Sequence, residues 1–317
     1  MVSLLDLDPA AYKAHEVHVG DRTYRETNCY TDILVELLHA RGDEPLAAMG
    51  FLVRMDFEGD QWTFFKPQPS DLEALFGIDI HEMQPYRDLP TQLADQLREG
   101  RTMIVELDAW YLPDTAATSY RREHVKTSVA VVAIDPVALR LRYFHNAGLY
   151  ELEGEDYNGV FRRGCDVSND VLPPYSEIVR FDAGPRLRGD ALRDAARGLL
   201  VFHLARRPKS NPFARFGVQL ERELPRLLEG EEADYHAYAF ATVRMVGSAF
   251  EILASHADWL LGDDASAAVE ALHRIVNGSK TLSFKLARRR AFDPAPQLAE
   301  LAAAWEDAMA ALDAAVG

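Results

Sequence analysis

The chain has 317 residues, of which 48% are hydrophobic and 26% charged. This composition is typical of a folded globular protein and excludes a disordered chain or a collagen-like fibre. Fifty acidic and 34 basic residues give a formal net charge of −16, which disfavours broad binding to nucleic acid because phosphate neutralisation needs clustered lysine and arginine. The chain has two cysteines, so neither a disulfide framework nor a four-thiolate zinc site is possible.

The sequence predicts a cytoplasmic protein without a membrane partner. Its first residues, MVSLLDLDPAAYK, are interrupted by Asp6, Asp8 and Pro9, whereas a secretory signal needs a basic start and an unbroken apolar stretch. We also expect no apolar run long enough to span a bilayer.

Up to about residue 182, short strand-like runs alternate with a few helices. The runs are rich in β-branched and aromatic residues, and Gly, Pro and Asp mark their ends. Strands are predicted over 46–55, 61–66, 102–112, 127–134 and 139–144, and helices over 28–41, 70–76 and 89–99. This pattern indicates an α+β domain with hairpins rather than regular βαβ units.

After residue 185 the pattern changes to long stretches with apolar residues at helical spacing. Helices are predicted over 189–207, 212–229, 232–261, 264–277, 278–291 and 295–315. We therefore expect an α+β domain over residues 1–184 and an all-α domain over residues 185–317.

One cysteine stands where a helix is predicted to begin, in the segment RETNCYTDILVELLHARG at 25–42. Thr27 or Asn28 can cap this helix and Gly42 can end it. Cys29 then lies in the first turn, where the helix dipole favours the nucleophilic thiolate. A small buried residue that only packs would occupy the same position, so both interpretations remain open.

A hairpin is predicted over 122–148, with its turn at 135–138. This register would place His124, at the start of the first strand, nearly opposite Asn146 at the end of the second. The imidazole could take a proton from a thiol while the amide fixes the ring tautomer, and His145 is the alternative orienting residue. The other interpretation is a surface histidine and an asparagine that only shapes the turn.

Acidic residues form a second group of candidates. Asp56, Glu58 and Asp60 alternate along DFEGDQW, where three carboxylates could hold a divalent cation, bind a substrate ammonium, or stand solvated beside a turn. We assign no metal and keep these three, with Asp108, as candidate substrate-binding residues. Because the chain has neither a glycine-rich phosphate loop nor a dinucleotide fingerprint, no bound cofactor is expected.

The order of a cysteine on a helix, a histidine at a strand start and an asparagine on the next strand resembles that of papain-like cysteine enzymes. The segments TMIVELDAWYLPDT (102–115), REHVKTSVAVVAID (122–135) and YFHNAG (143–148) resemble the N-terminal domain of the butirosin-biosynthesis acyltransferase. Further segments are similar to a bacterial family catalogued as domain of unknown function 1839: DFEGDQWTFFKP, LPDT, LPPYSE, GSAFEILA and SKTLSFKLARRRA.

This resemblance implies a papain-like fold and a cysteine acyltransferase. Such an enzyme moves an acyl or aminoacyl group from the phosphopantetheine thioester of a carrier protein to a small amine acceptor, with phosphopantetheine present only as the carrier's arm. Cys29 would be the nucleophile, His124 the base and Asn146 the orienting residue. Many papain-like enzymes donate to the oxyanion from a glutamine, but residues 1–60 contain none, so Asn28 would take that place. The alternatives are an amidase or thioesterase, and a non-catalytic protein that binds carriers.

Carrier proteins are typically acidic, so a carrier-binding protein needs a basic surface. Two basic stretches stand out against the acidic background and supply candidates: Arg206, Arg207, Lys209, Lys285, Arg288 and Arg289. A solvated helix face would have the same composition. The second cysteine, Cys165, has no predicted helix behind it and serves as an internal comparison for Cys29.

Overall fold

The computed structural model describes residues 1–26, 28–164 and 173–317. They form two compact units, and each unit gathers three stretches of chain. The first unit comprises Met1–His15, Cys29–Asp43 and Leu72–Arg186, and the second comprises Glu16–Asn28, Glu44–Asp71 and Leu187–Gly317. The predicted domain boundary at 184/185 places residues 16–28 and 44–71 in the N-terminal domain. In the structure these two segments belong to the same compact unit as the C-terminal helices.

Helices dominate the second half of the chain. The α-helices are α1 (Cys29–Ala40), α2 (Pro69–Phe76), α3 (Leu89–Arg98), α4 (Gly154–Val160), α5 (Gly189–Leu204), α6 (Pro212–Glu229), α7 (Glu232–Ala239), α8 (Met245–Leu261), α9 (Ser266–Ala287) and α10 (Ala295–Val316). A π-helical turn at Phe240–Arg244 joins α7 to α8, and a ten-residue 3-10 helix occupies Pro45–Arg54.

In the part of the chain that the structure describes, nine strands are distributed unequally between the units. They are β1 (Val2–Ser3), β2 (Phe57–Glu58), β3 (Gln61–Trp62), β4 (Asp79–Met83), β5 (Thr102–Asp108), β6 (Lys126–Asp135), β7 (Arg140–His145), β8 (Gly148–Glu153) and β9 (Ser176–Arg180). In the first unit, seven form an antiparallel sheet of order β4-β9-β5-β6-β7-β8, with β1 beside β6. β2 and β3 form a small hairpin in the second unit.

The sheet of the first unit is covered on both faces. α3 packs on one face, where Leu93, Leu97, Val105, Val131 and Tyr143 belong to one buried cluster. Because side chains alternate along strands, the neighbouring residues Ile104, Ala130 and Phe144 point to the opposite face. α1 packs there against β6 and β7. The expected mixture of helices and antiparallel strands is therefore confirmed.

The second unit is built from helices around an aromatic core. Phe57, Trp62, Phe213, Phe216 and Phe250 meet there, with ring centroids 4.9 to 5.8 Å apart. The 3-10 helix Pro45–Arg54 packs against α5 and α8, and all its residues except Arg54 are buried. A strand was predicted over 46–55, so that prediction is wrong.

Two further predictions need correction. The helices expected over 264–277 and 278–291 are the single helix α9. In addition, one helical stretch, Glu232–Ala287, contains a window long and apolar enough to cross a membrane, contrary to expectation. Since 67% of that window is buried within the protein, it resembles the core helix of a folded domain.

Candidate active site

A cleft of about 640 Å³ opens in the first unit where β5 ends and β6 begins. One part of its lining is charged and the rest is mostly apolar or aromatic. The lining residues include Leu89, Glu106, Leu107, Asp108, Tyr111, His124, Val125, Lys126, Gly159, Val160, Phe161, Arg162, Pro173, Pro174 and Tyr175. Its volume lies within the range of small-molecule sites.

His124 is held in this cleft by two neighbours. Its Nδ1 donates to Asp108 Oδ2 at 2.6 Å, and the Trp110 ring stacks on the imidazole with a centroid distance of 4.6 Å and an interplanar angle of 9°. Asp108 is fixed in turn, because its Oδ1 accepts the backbone N–H of Trp110 at 3.0 Å. A carboxylate on Nδ1 sets the tautomer in which Nε2 can accept a proton.

A second ion pair lies beside the first. Lys126 Nζ donates to Glu106 Oε1 at 2.6 Å. Glu106 and Asp108 stand two residues apart on β5, opposite Ser128 and Lys126 of β6, so they project from the same face of the sheet. The carboxylates of the cleft are therefore each matched by a basic side chain.

A chain of hydrogen bonds connects the first turn of α1 with the cleft. The hydroxyl of Tyr30 donates to Glu177 Oε2 at 2.5 Å, and that of Tyr175 donates to Glu177 Oε1 at 2.8 Å. Tyr175 lines the cleft, whereas Tyr30 and Glu177 are buried. Burial, together with the negative charge of Glu177, raises the pKa of Tyr30 above its ordinary value, so this phenol remains a donor.

Cys29 is the first residue of α1 and is half-buried. Its neighbour Tyr30 contacts Glu177, which is paired with Ile104 of β5. Glu106 and Asp108 follow Ile104 at alternate positions of that strand, so α1 begins over the face that carries both carboxylates. The lining residues that the structure describes do not include Cys29 itself.

The partners of His124 and Asn146 differ from those expected. β6 and β7 pair Asp135 with Arg140 and Ala130 with Phe144, with a bulge between. Continuing this register brings Asn146 opposite Ser128, four residues from His124, so the expectation that His124 and Asn146 face each other is wrong. Asn146 instead forms the turn into β8 with a φ of 46°, a left-handed conformation that asparagine tolerates. Asp108, predicted to contact substrate, is the carboxylate that contacts His124.

His145, the alternative orienting residue, belongs to a separate buried network. Its Nδ1 bonds to Asp114 at 2.5 Å and its Nε2 to the hydroxyl of Thr127 at 2.8 Å. Tyr143 also donates to Asp114, and Tyr143 lies in the core on the α3 face. Because both nitrogens of the ring are engaged away from the α1 face, the structure assigns His145 a packing role.

The predicted oxyanion-binding residue and three of the predicted substrate-binding acids belong to the second unit: Asn28, Asp56, Glu58 and Asp60. The amide of Asn28 donates to the backbone oxygen of Phe65 at 2.5 Å, so the group expected to hold an oxyanion already has an acceptor. Asp56 forms an ion pair with Arg215. Glu58 and Asp60 flank Gly59, whose φ is 75°, in the turn of the β2–β3 hairpin, which confirms the turn interpretation. Among the residues that the structure describes, no group of three His, Cys, Asp or Glu could hold a metal.

The predicted docking cations divide into two groups. Some are engaged within the unit: Arg207 pairs with Asp313, and Arg289 caps the α6 end through Gly230 O. Others remain at the surface. Arg206 lies over the exposed Phe202 ring at 3.5 Å, and Lys209 and Arg288 are exposed. Lys285 lies 5.8 Å from the Phe292 ring.

Cys165, the comparison cysteine, lies outside the described residues.

Sequence reasoning missed Trp110, Glu177 and Tyr175. The signal for Trp110 was present, because the segment ELDAW places the ring two residues beyond Asp108. Glu177 and Tyr175 had no local signal, since strand β9 joins β5 only through long-range pairing.

Comparisons with known proteins place the chain in a family. A family model described as the DUF1839 N-terminal domain matches residues 13–181, and one described as the DUF1839 C-terminal domain matches residues 189–314. The chain belongs to the DUF1839 family. A search of curated proteins found no match to this DUF1839 chain.

Proposed function

We propose that this protein is a papain-like, cysteine-dependent acyltransferase in which Cys29 is the nucleophile and His124 the base. The observation that carries the proposal is the His124–Asp108 pair, with Nδ1 and Oδ2 at 2.6 Å in the cleft. Nucleophilic thiol catalysis needs an oriented imidazole within reach of a thiol, and in this proposal the Cys29 thiol at the start of α1 is the group that reaches His124. In this proposal Asp108 takes the orienting role that was predicted for Asn146.

The reaction follows from these groups. His124 Nε2 accepts the proton of the Cys29 thiol, and the sulfur attacks the carbonyl carbon of a thioester. The bond from that carbon to the donor sulfur breaks, and the donor leaves as a thiol with the proton from His124. An amine then attacks the acyl-cysteine, its proton passes to His124, and Cys29 is released as a thiol. Asp108 stabilises the imidazolium formed in each half-reaction.

A carrier protein is our proposed donor. The resemblance to the butirosin acyltransferase supports this choice, as do the exposed cations Arg206, Lys209 and Arg288 on a chain of net charge −16. Hydrolysis is the second candidate, because water in place of the amine would make the same site a thioesterase or amidase.

The test is acylation of the protein by a panel of acyl- and aminoacyl-pantetheine thioesters, followed by intact mass and peptide mapping. We expect one acyl group on Cys29, none in Cys29→Ser, and normal labelling in Cys165→Ser. Asp108→Asn should slow acylation by about 10²-fold, the lower end of what general acid–base catalysis contributes. Glu123→Gln is the matched control, since it removes an exposed carboxylate next to His124.

Adding amines or omitting them separates the candidates. Loss of the acyl group only with an amine indicates transfer, and equal loss without it indicates hydrolysis. The whole proposal is overturned if no thioester in the panel labels Cys29, or if Asp108→Asn and Glu123→Gln acylate equally fast. Binding of carrier proteins unchanged in Cys29→Ser, without any labelling, would support the non-catalytic alternative.

A further inference from the structure

A second cleft, of about 460 Å³, lies within the second unit. Its lining combines two guanidinium groups, one hydroxyl, an indole ring and two carboxylates: Arg22, Arg193, Ser255, Trp259, Glu16 and Asp258. None of these residues belongs to the cleft of the first unit. Such a mixture of opposite charges with one aromatic wall is suited to a ligand that itself carries both charges.

Arg22 supplies a half-buried cation to this cleft. Its Nη1 donates to the Ser255 hydroxyl at 2.7 Å, but its Nε is buried and, among the described residues, has no hydrogen-bond partner. The nearby Oε2 of Glu251 is 3.9 Å from Nε, beyond hydrogen-bond distance. That carboxylate is engaged by the backbone N–H groups of Thr23 and Tyr24, each at 2.8 Å. A buried donor left without an acceptor is costly, so an acceptor oxygen supplied by a ligand is favoured there.

Arg193 and Trp259 form the wall of the cleft. The guanidinium lies over the indole ring, 4.7 Å from its centroid, and Nη1 donates to the backbone oxygen of Trp259. This contact uses one of the five N–H groups of the guanidinium and holds the side chain in place. Trp259, Leu46 and Val17 give the cleft an apolar part.

Two acids complete the lining, and both are exposed: Glu16 and Asp258. Together with Glu251 behind Arg22, they would repel a doubly charged phosphate. A ligand with one carboxylate and one ammonium avoids this repulsion, because its carboxylate can pair with a guanidinium and its ammonium with an exposed acid.

We propose that this cleft binds a free α-amino acid with an apolar side chain. The carboxylate is bound by Arg22 and Arg193, the ammonium by Asp258 or Glu16, and the side chain lies against Trp259. The proposal is independent of the acyl-transfer chemistry assigned to the first unit.

Calorimetric titration of the full chain with L-phenylalanine tests this proposal. We expect saturable binding at millimolar concentrations or below, and at least about tenfold weaker binding of hydrocinnamate and phenethylamine, which each lack one charge. Arg193→Gln and Asp258→Asn should each weaken binding about tenfold, whereas Asp263→Asn, which alters an exposed acid outside the cleft, should leave it unchanged.

Arg22→Lys retains the positive charge but removes the Nε donor, so it should also weaken binding. Circular dichroism verifies that each variant is folded. If Arg22→Lys does not fold, the binding measured for Arg193→Gln decides the outcome. The proposal is overturned if phenylalanine does not saturate the protein, if hydrocinnamate or inorganic phosphate binds as tightly, or if Arg193→Gln binds normally.

Discussion

Gly159 is a residue whose lack of a side chain shapes the cleft of the first unit. A Cβ built on it would overlap the Tyr111 ring, which lines the same cleft. The guanidinium of Arg121 also lies over this ring, 5.3 Å from its centroid. The close approach of a backbone to an aromatic ring therefore fixes one wall of the cleft.

Substitution of this glycine should destabilise the protein. We expect Gly159→Ala to lower the free energy of unfolding by about 1–3 kcal/mol, the usual cost of overpacking, as measured by urea denaturation. Gly198→Ala is the matched control, because Gly198 lies on α5 with nothing within 4 Å of an added Cβ. There alanine should stabilise the helix by up to about 1 kcal/mol. Equal effects at the two sites would contradict the packing argument.

At the residue scale, the sequence drew attention to His124 but did not predict its contact with Asp108. His124 lies eleven residues before Asp135, whereas Asn146 lies only six after its partner Arg140, so the two cannot face each other. The bulge between β6 and β7 changes this offset by a single residue. Asp108 could not be assigned from pattern alone, because its contact with His124 depends on the pairing of β5 with β6. The sequence therefore indicates which residue types are candidates, but the contacts between them can be known only from the register of the sheet.

At the scale of elements, α1 is anchored to the sheet through Tyr30, which shares the carboxylate of Glu177 with Tyr175. Tyr30 is 6% exposed and Tyr175 is 39% exposed. Both hydroxyls donate to the same carboxylate, but water can replace only the exposed donor readily. This pair therefore offers a comparison between a buried and a solvated hydrogen bond to one acceptor.

We expect Tyr30→Phe to lower the free energy of unfolding by about 1–3 kcal/mol, because it removes a buried hydrogen bond to the carboxylate of Glu177. Tyr175→Phe should cost less than about 1 kcal/mol. The measurement is urea denaturation, supplemented by the rate at which iodoacetamide alkylates Cys29. That rate should rise in Tyr30→Phe as the first turn of α1 loosens. A larger loss in Tyr175→Phe would show that Glu177 does not anchor α1.

Long, periodic elements could be predicted from the sequence, and short apolar ones could not. α1, α3 and α6 begin and end within a residue of the predicted bounds, since apolar spacing and end signals agree there. The run LAAMGFLV at 46–53 is apolar throughout, so periodicity could not separate a strand from a helix. It is the 3-10 helix Pro45–Arg54, buried almost entirely by tertiary contacts.

At the scale of the whole molecule, a buried histidine couples the stability of the second unit to pH. Burial lowers the pKa of His256 from 6.5 to about 4, assisted by His203, although the hydrogen bond from Nδ1 to Leu46 O opposes the shift. Between those two pH values the unfolded chain binds a proton that the folded protein does not. Stability is therefore fully present above pH 6.5 and declines as the pH falls towards 4.

We expect the free energy of unfolding to fall by about 3 kcal/mol over that interval from His256 alone, by the linkage of pKa to stability. The slope should be shallower in His256→Gln and unchanged in His236→Gln, which alters an exposed histidine. An NMR titration of His256 in the unaltered protein provides a check that does not depend on the variants folding. An apparent pKa near 6.5 would contradict the prediction.

The interleaving of the two units has a consequence for synthesis of the chain. The 3-10 helix Pro45–Arg54 packs against α5 and α8, but the ribosome produces it long before the last residue of α8, Leu261. At ordinary elongation rates the interval is roughly 10 to 40 s. For most of that time, until α5 (Gly189–Leu204) has been made, a segment that is almost wholly buried in the native protein lacks both of the helices that cover it. We therefore expect this segment of the nascent chain to need protection by a chaperone until its partner helices have been made.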